Sequence, residues 1–269
     1  MTSDGASASP ADAFIDLAIR LADTARPIAR RYFRSTDFGL TFKADCSPVT
    51  LADKEIESAI RAILTAEVPK HGIFGEEYGT IRTEADYVWT IDPIDGTNSF
   101  ATGKPLFGTL ISLTHGGIPV LGIIDQAILD ERWLGVVGRQ TTLNGLPVQT
   151  RACSNLADAW LSATTPDMFT SAGATAFNAL KASTRRCAFG SDCYAYGLLA
   201  SGFLDIVCEA DLKPYDYCAL APVVAGAGGT MTDWQGQPLR IDSDGRVLAA
   251  GDAATHALAL ATLAGALAT

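Results

Sequence analysis

Asp92-Pro93-Ile94-Asp95-Gly96-Thr97 places two carboxylates, a proline and a glycine within six residues. The hydrophobic run before it, Tyr87 to Ile91, reads as a buried strand, because β-branched and aromatic residues end there at turn signals. Pro93 fixes its own φ and lacks a backbone donor, so the strand is not expected to continue simply through it. The chain turns at the mouth of a sheet with both aspartates close together. Two crowded carboxylates repel each other unless a cation lies between them, and an oxygen-rich cluster of this kind suits Mg²⁺. The local residues alone equally allow an Asx-type turn with both aspartates in solvent. Gly96 permits a sharp bend or a close approach to a ligand. Thr97 and Asn98 are good N-cap residues, and the helix start they predict would offer free N–H groups to an anion.

Further acids lie at the ends of predicted elements, where function collects. Glu76 and Glu77 follow a short strand around Ile73-Phe74 and lie between glycines. Asp53 closes Thr50-Leu51-Ala52-Asp53, a pattern that also fits a capping box. Asp216 follows a proline at a helix start and by itself reads as a cap. Glu209, at a strand terminus, by itself reads as a solvated end residue.

The elements that would position these residues follow from periodicity. Phe14, Leu17, Leu21, Ala25, Ile28 and Tyr32 mark one apolar face of a helix over 11–34, and a second helix runs from Thr50 to just before Pro69. Between them, Gly39 to Pro48 is a loop carrying Lys43 and Asp45. Phe107–Leu113, Val120–Asp125 and Arg132–Val137 predict antiparallel strands, with turns at His115-Gly116-Gly117 and Asn144-Gly145. In the second half, strands over Trp160–Ala163 and Phe203–Cys208 alternate with helices over Pro166–Lys181, from Gly190 through Ala200, and from Pro214 to Gly228. Two short strands and a helix over 252–267 complete the chain. Strands cluster in the first half and alternate with helices in the second, which predicts layered α/β packing without an interdomain linker. Residues 1–10 read as a disordered tail. Residues 11–269 read as one domain with halves of about 11–150 and 151–269.

Composition excludes several classes. The net charge of −10 argues against a nucleic-acid partner, which needs a basic patch. There is no run of apolar residues long enough for a membrane span, and the small, polar first ten residues do not resemble a signal peptide, so a cytoplasmic protein is expected. The six cysteines show no C-x-x-C spacing and are expected to be reduced thiols, without zinc or disulfides. Three scattered histidines, His71, His115 and His256, leave little for a Ser/His or Cys/His nucleophile.

Taken together, Glu76-Glu77, the D-P-I-D-G-T segment, and Tyr215-Asp216 ahead of a small-residue helix resemble the inositol monophosphatase family, from Lys43 to about Leu239. Gly190-Ser191-Asp192-Cys193-Tyr194-Ala195-Tyr196, Glu209 and Leu212-Lys213-Pro214-Tyr215-Asp216 resemble its bacterial histidinol-phosphate phosphatase branch. Tyr215 stands where inositol phosphatases usually carry Trp, which favours that branch. The resemblance implies a five-layer α/β/α/β/α sandwich, a homodimer, and two or three Mg²⁺ per site. Glu76, Asp92 and the Ile94 carbonyl would hold one ion; Asp92, Asp95 and Asp216 a second; Asp53 with Glu76 a weaker third. Thr97 would orient the attacking water, backbone N–H groups of Gly96 and Thr97 would bind phosphate, and Asp192 and Glu209 would contact the leaving group. Asp192 equally fits an N-cap of the helix after it. The expected activity is Mg²⁺-dependent hydrolysis of histidinol phosphate. An inositol or nucleotide phosphatase on the same scaffold is the alternative, and a non-catalytic metal-holding assembly protein is a further one.

Overall fold

The computed structural model describes residues 10–36, 39–42 and 48–268. The predicted tail, except Pro10, and Lys43, Asp45 and Cys46 lie outside the described residues. The first half runs α1 (Pro10–Tyr32), β1 (Thr41–Phe42), β2 (Pro48–Val49), α2 (Leu51–Glu67), β3 (Gly72–Gly75), β4 (Thr80–Ile81), β5 (Tyr87–Asp95), α3 (Thr97–Ala101), β6 (Gly108–His115), β7 (Ile118–Gln126), β8 (Glu131–Val136), β9 (Thr142–Leu143) and β10 (Leu146–Pro147). The second runs β11 (Trp160–Ala163), α4 (Ser171–Ser183), β12 (Arg186–Phe189), α5 (Tyr194–Ala200), β13 (Ile206–Glu209), α6 (Pro214–Tyr217), α7 (Leu220–Gly226), β14 (Thr230–Thr232), β15 (Val247–Ala250) and α8 (Ala253–Leu267).

Among the described residues two large sheets carry the structure, beside a two-stranded pair of β1 and β2. The larger has the order β10-β9-β8-β7-β6-β5-β3-β4, and the smaller β12-β11-β13-β15-β14. In the larger sheet only β3 and β5 run parallel, with Gly75 opposite Ile91. The chain therefore leaves both strands at the same sheet end, and Glu76 follows β3 there just as Asp92 and Asp95 close β5. The apolar stripe of α1 and the inner face of α2 bury Leu21, Ile56 and Ile60 against Trp89 and Ile111 on one side of this sheet. On its other side α5 and α7 pack Tyr196, Leu199 and Val223 between Ile124 and Trp133 of the large sheet and Val207 of the small one. Beyond the small sheet, α4 and α8 contribute Phe177, Ala259 and Leu263 to a third cluster with Leu161 and Leu248. The layers are α/β/α/β/α, as expected.

The middle helix layer sits very close to the large sheet because two glycines face each other there. Gly122 of β7 pairs with Gly135 of β8. A Cβ on Gly122 would lie 1.9 Å from the Ala219 carbonyl oxygen, and one on Gly135 would lie 2.4 Å from the backbone of Pro222 and Val223.

Several boundaries differ from the periodic pattern. The predicted helix over Pro166–Lys181 is a 3₁₀ turn, Pro166–Met168, followed by α4. Strand β12 was not anticipated: it is short and largely exposed, so it lacks an apolar signature. The helix after Pro214 is two pieces, α6 and α7, interrupted at Cys218–Ala219. Pro10, read as part of the tail, is the first residue of α1.

Candidate active site

Strand β5 continues through Pro93 to Asp95, contrary to the expected stop. It does so by bulging: Asp92 pairs with Leu110 and Asp95 with Gly108, so three steps on β5 oppose two on β6. In a regular strand, residues three apart face opposite sides. The extra residue turns both aspartates to one side. The missing Pro93 donor costs no ladder bond at a bulge, while its carbonyl accepts the Thr109 hydroxyl at 2.8 Å. The Ile94 side chain anchors the bulge in the core and its carbonyl accepts the Thr97 hydroxyl at 3.0 Å. A carbonyl oxygen has two lone pairs, so that bond leaves room for a cation. Gly96, at φ 87°, is the N-cap of α3, so Thr97 and Asn98 lie inside the helix and are not its caps. A Cβ at Gly96 would lie 3.0 Å from the Asp192 carboxyl carbon.

The structure brings the scattered acids together in two groups. Ligand oxygens of Asp92, Asp95 and Asp216 lie within 4.8 Å of one another, as do those of Asp53, Glu76 and Glu77. Glu76, of one group, lies near enough to Asp92, of the other, to disfavour its charge, so the groups adjoin. Four of these carboxylates share one design, in which a backbone N–H holds one oxygen and leaves the other for the cluster. Asp92 Oδ1 accepts from Ile94 N at 3.0 Å, Asp95 Oδ2 from Cys193 N at 2.6 Å, Asp216 Oδ2 from Lys213 N at 2.6 Å, and Asp53 Oδ2 from Thr50 N at 2.8 Å. The helix-cap reading of Asp53 and Asp216 is therefore realised with a single oxygen each. Glu77, not among the expected ligands, stands with Asp53 and Glu76.

Burial and mutual repulsion disfavour charge on these groups. Desolvation, then the neighbouring Glu76, raises the Asp92 pKa well above the carboxylate range, and desolvation with Asp192 and Asp216 does the same for Asp95. Burial pushes both Asp53 and Asp216 up to about 7. Such a cluster must hold protons or cations. Asp53 Oδ1 is buried without a hydrogen-bond partner. An orphaned anionic oxygen among two more carboxylates fits a hard divalent cation.

Beside the second group, Asp95, Asp192, Glu209 and Asp216 line a cavity of about 100 Å³ with Thr164, Tyr196 and Leu212. Glu209 is not a solvated strand end: it is 3% exposed. Its Oε1 accepts the Thr164 N–H and hydroxyl at 2.8 and 2.7 Å, and Oε2 accepts the Tyr196 hydroxyl at 2.9 Å. Burial raises its pKa despite these bonds. Asp192 does not cap α5, which begins at Tyr194 after Cys193 without a side-chain cap. It adopts φ 44° and its Oδ2 accepts the Ser99 hydroxyl at 3.2 Å, and burial pushes its pKa up to about 6. Thr164, Tyr196 and Ser99 were missed because hydroxyl residues of this kind carry no spacing signal.

Stacked sheets with carboxylates gathered at their strand ends define a layered α/β phosphatase whose acidic groups could hold cations. The chain belongs to the inositol monophosphatase family, whose model matches residues 11–267. It is 47% identical over 261 residues to the chloroplastic bifunctional phosphatase IMPL2 of Arabidopsis thaliana, covering 94% of this chain and 75% of that one. It is 34% identical over 226 residues to a histidinol-phosphatase of Mycobacterium tuberculosis, covering 82% and 87%. An inositol monophosphatase from Zymomonas mobilis superposes with a TM-score of 0.88 at 47% identity, covering 95% of this chain and 99% of that one. Among the described residues no helix is long and apolar enough to cross a membrane. The five described cysteines, Cys153, Cys187, Cys193, Cys208 and Cys218, are free.

Proposed function

We propose that this phosphatase is Mg²⁺-dependent and hydrolyses L-histidinol phosphate to L-histidinol and inorganic phosphate. The observation that carries the choice of ester is the placement of two carboxylates, the half-buried Asp192 and the buried Glu209, in one cavity with Asp95 and Asp216. The leaving alcohol of histidinol phosphate carries an ammonium and an imidazole, and buried carboxylates pair with such groups.

In this reading Glu76, Asp92 and the Ile94 carbonyl hold one Mg²⁺, Asp92, Asp95 and Asp216 a second, and Asp53 with Glu76 a third. Mg²⁺ bound there supplies countercharge for the phosphate and lowers the pKa of a water. The chain does the rest. The N–H groups of Gly96 and Thr97, at a helix start, receive phosphate oxygens. Thr97, held by the Ile94 carbonyl, orients the attacking water, and Glu76 and Asp53 accept its hydrogen bonds. Water replaces the alcohol at phosphorus directly, and no covalent phospho-enzyme is required. The reading includes a small phosphorylated substrate, no nucleic-acid or membrane partner, and a cytoplasmic homodimer; the free cysteines agree with a reducing compartment.

A second reading, an inositol monophosphatase or a 3′(2′),5′-bisphosphate nucleotidase, draws support from the Zymomonas mobilis structure. Phosphate release from L-histidinol phosphate, inositol 1-phosphate and adenosine 3′,5′-bisphosphate under one Mg²⁺ concentration separates them. The expected kcat/KM is at least about 10-fold higher for histidinol phosphate, because buried charged partners reject analogues lacking their complement. Equal or faster turnover of inositol phosphate overturns the assignment.

A further inference from the structure

Helix α2 supplies Asp53 in its first turn, and one turn later, on the same face, it supplies Glu57. Glu57 is fully buried, yet it lies outside both carboxylate groups. Its Oε2 accepts the backbone N–H of Glu77 at 2.6 Å and its Oε1 that of Tyr78 at 3.1 Å. Arg61, a further turn along, neutralises it through Nε at 2.7 Å and donates to the Gly79 carbonyl with its other arm. Gly75 approaches so closely that a Cβ there would lie 2.0 Å from Glu57 Oε1. The turn is closed by Gly75 N–H to Gly79 O at 3.1 Å and tied to β5 by Glu76 N–H to Ile91 O at 3.2 Å.

We infer that Glu57, with Arg61 as its counter-ion, is a positioning residue that holds the 75–79 turn so that Glu76 and Glu77 face Asp53. It touches neither cation nor substrate; it acts on the backbone from which two of the three carboxylates project. One helix thus places Asp53 directly and Glu76 and Glu77 indirectly, and the group is arranged before any cation arrives. A buried ion pair kept only for stability is poorly motivated, since such pairs often contribute little net. The inference rests on reading the Asp53 group as a cation site.

Two measurements test it. Titration calorimetry with Mg²⁺ on the metal-free protein is expected to show affinity about 10–100-fold weaker in Glu57→Gln and in Glu57→Asp, the usual cost of losing a partner that orients a metal ligand. The KM for the phosphate ester, measured at saturating Mg²⁺, is expected to shift less than the Mg²⁺ affinity. Unchanged Mg²⁺ affinity in both variants overturns the inference. Hydrogen exchange on the unmutated protein needs no variant to fold. The Glu77 and Tyr78 amides are expected to be protected without Mg²⁺, and exchange there that slows only on adding Mg²⁺ shows that the cation orders the turn and Glu57 does not. If the unmutated protein binds no Mg²⁺ while those amides are protected, the cation-site reading fails and the clamp on the turn stands.

Discussion

The Asp95 carboxylate accepts the backbone N–H of Cys193, 98 positions further along the chain, at 2.6 Å. This bond ties the bulged end of β5 to the start of α5, and so joins the large sheet to the middle helix layer at the site itself. One Asp95 oxygen is occupied there, and the other is left for Asp92 and Asp216.

Asp95→Asn separates these two tasks. The amide oxygen can still accept the Cys193 N–H, while an uncharged NH₂ replaces the oxygen facing the other acids. Turnover at saturating Mg²⁺ is expected to fall by more than about 100-fold, because even outer partners of metal ligands cost 10–100-fold. The circular dichroism spectrum should be unchanged, and the metal-free variant should melt no lower than the parent, since a repelled charge is gone. Near-parental phosphate release would contradict the proposed mechanism.

The acid cluster makes metal binding pH-dependent with a definite sign. Folding raises Asp53 and Asp216 to about 7, from about 4 in an unfolded chain. A carboxylate raised in the folded state gives stability at low pH that is lost as pH climbs through the folded value. The metal-free protein should therefore lose stability between about pH 4 and 7 on account of these groups. Mg²⁺ must displace the protons to bind. The rise in Tm on adding Mg²⁺ should then be larger at about pH 8 than at about pH 6, with proton release measurable by calorimetry in buffers of different ionisation enthalpy. A Mg²⁺-induced shift independent of pH would sink this account.

Glu209→Gln tests the leaving-group side. The amide NH₂ cannot accept from Tyr196 or Thr164, so at least one of the bonds that hold the side chain is lost, together with its charge. The kcat/KM for histidinol phosphate should fall by about 10–100-fold, the size of a hydrogen bond to a charged group, and much less for a plain alkyl phosphate. Equal losses on both would remove Glu209 from recognition.

Gly122→Ala addresses the layer spacing. Its Cβ would meet the Ala219 carbonyl at 1.9 Å, and a rigid backbone atom cannot turn aside as a side chain can. Overpacking of this kind costs about 1–3 kcal/mol or more, to be read as a lowered denaturation midpoint in urea. An unchanged midpoint would mean that the middle layer slides freely on the sheet.

What the sequence disclosed, and what it withheld, divides along local and non-local lines. The α1 stripe and the three hairpin strands are local patterns, and they read correctly. Pro93 reads as a stop because its missing donor is a local fact, whereas the bulge that accommodates it depends on pairing with β6. Glu57 carried no signal in the sequence, because the backbone groups it receives lie 20 and 21 residues away. Glu209 looked solvated because nothing adjacent announces Thr164 and Tyr196. Gly96 takes the cap position from Thr97 because the chain must bend beside Asp192, in the turn before α5.

The parallel pairing of β3 with β5 separates the two ends of the sheet in another respect. Every acid that closes these strands sits at one end, while the turn that joins β4 to β5, residues 82–86, lies at the opposite end and is almost wholly exposed. Register between the strands, not the length of that turn, aligns Glu76 with Asp92. An affinity tag or fluorophore-bearing loop grafted at 82–86 is therefore expected to leave catalysis intact, giving a handle for immobilising the enzyme with its cleft facing away from the support.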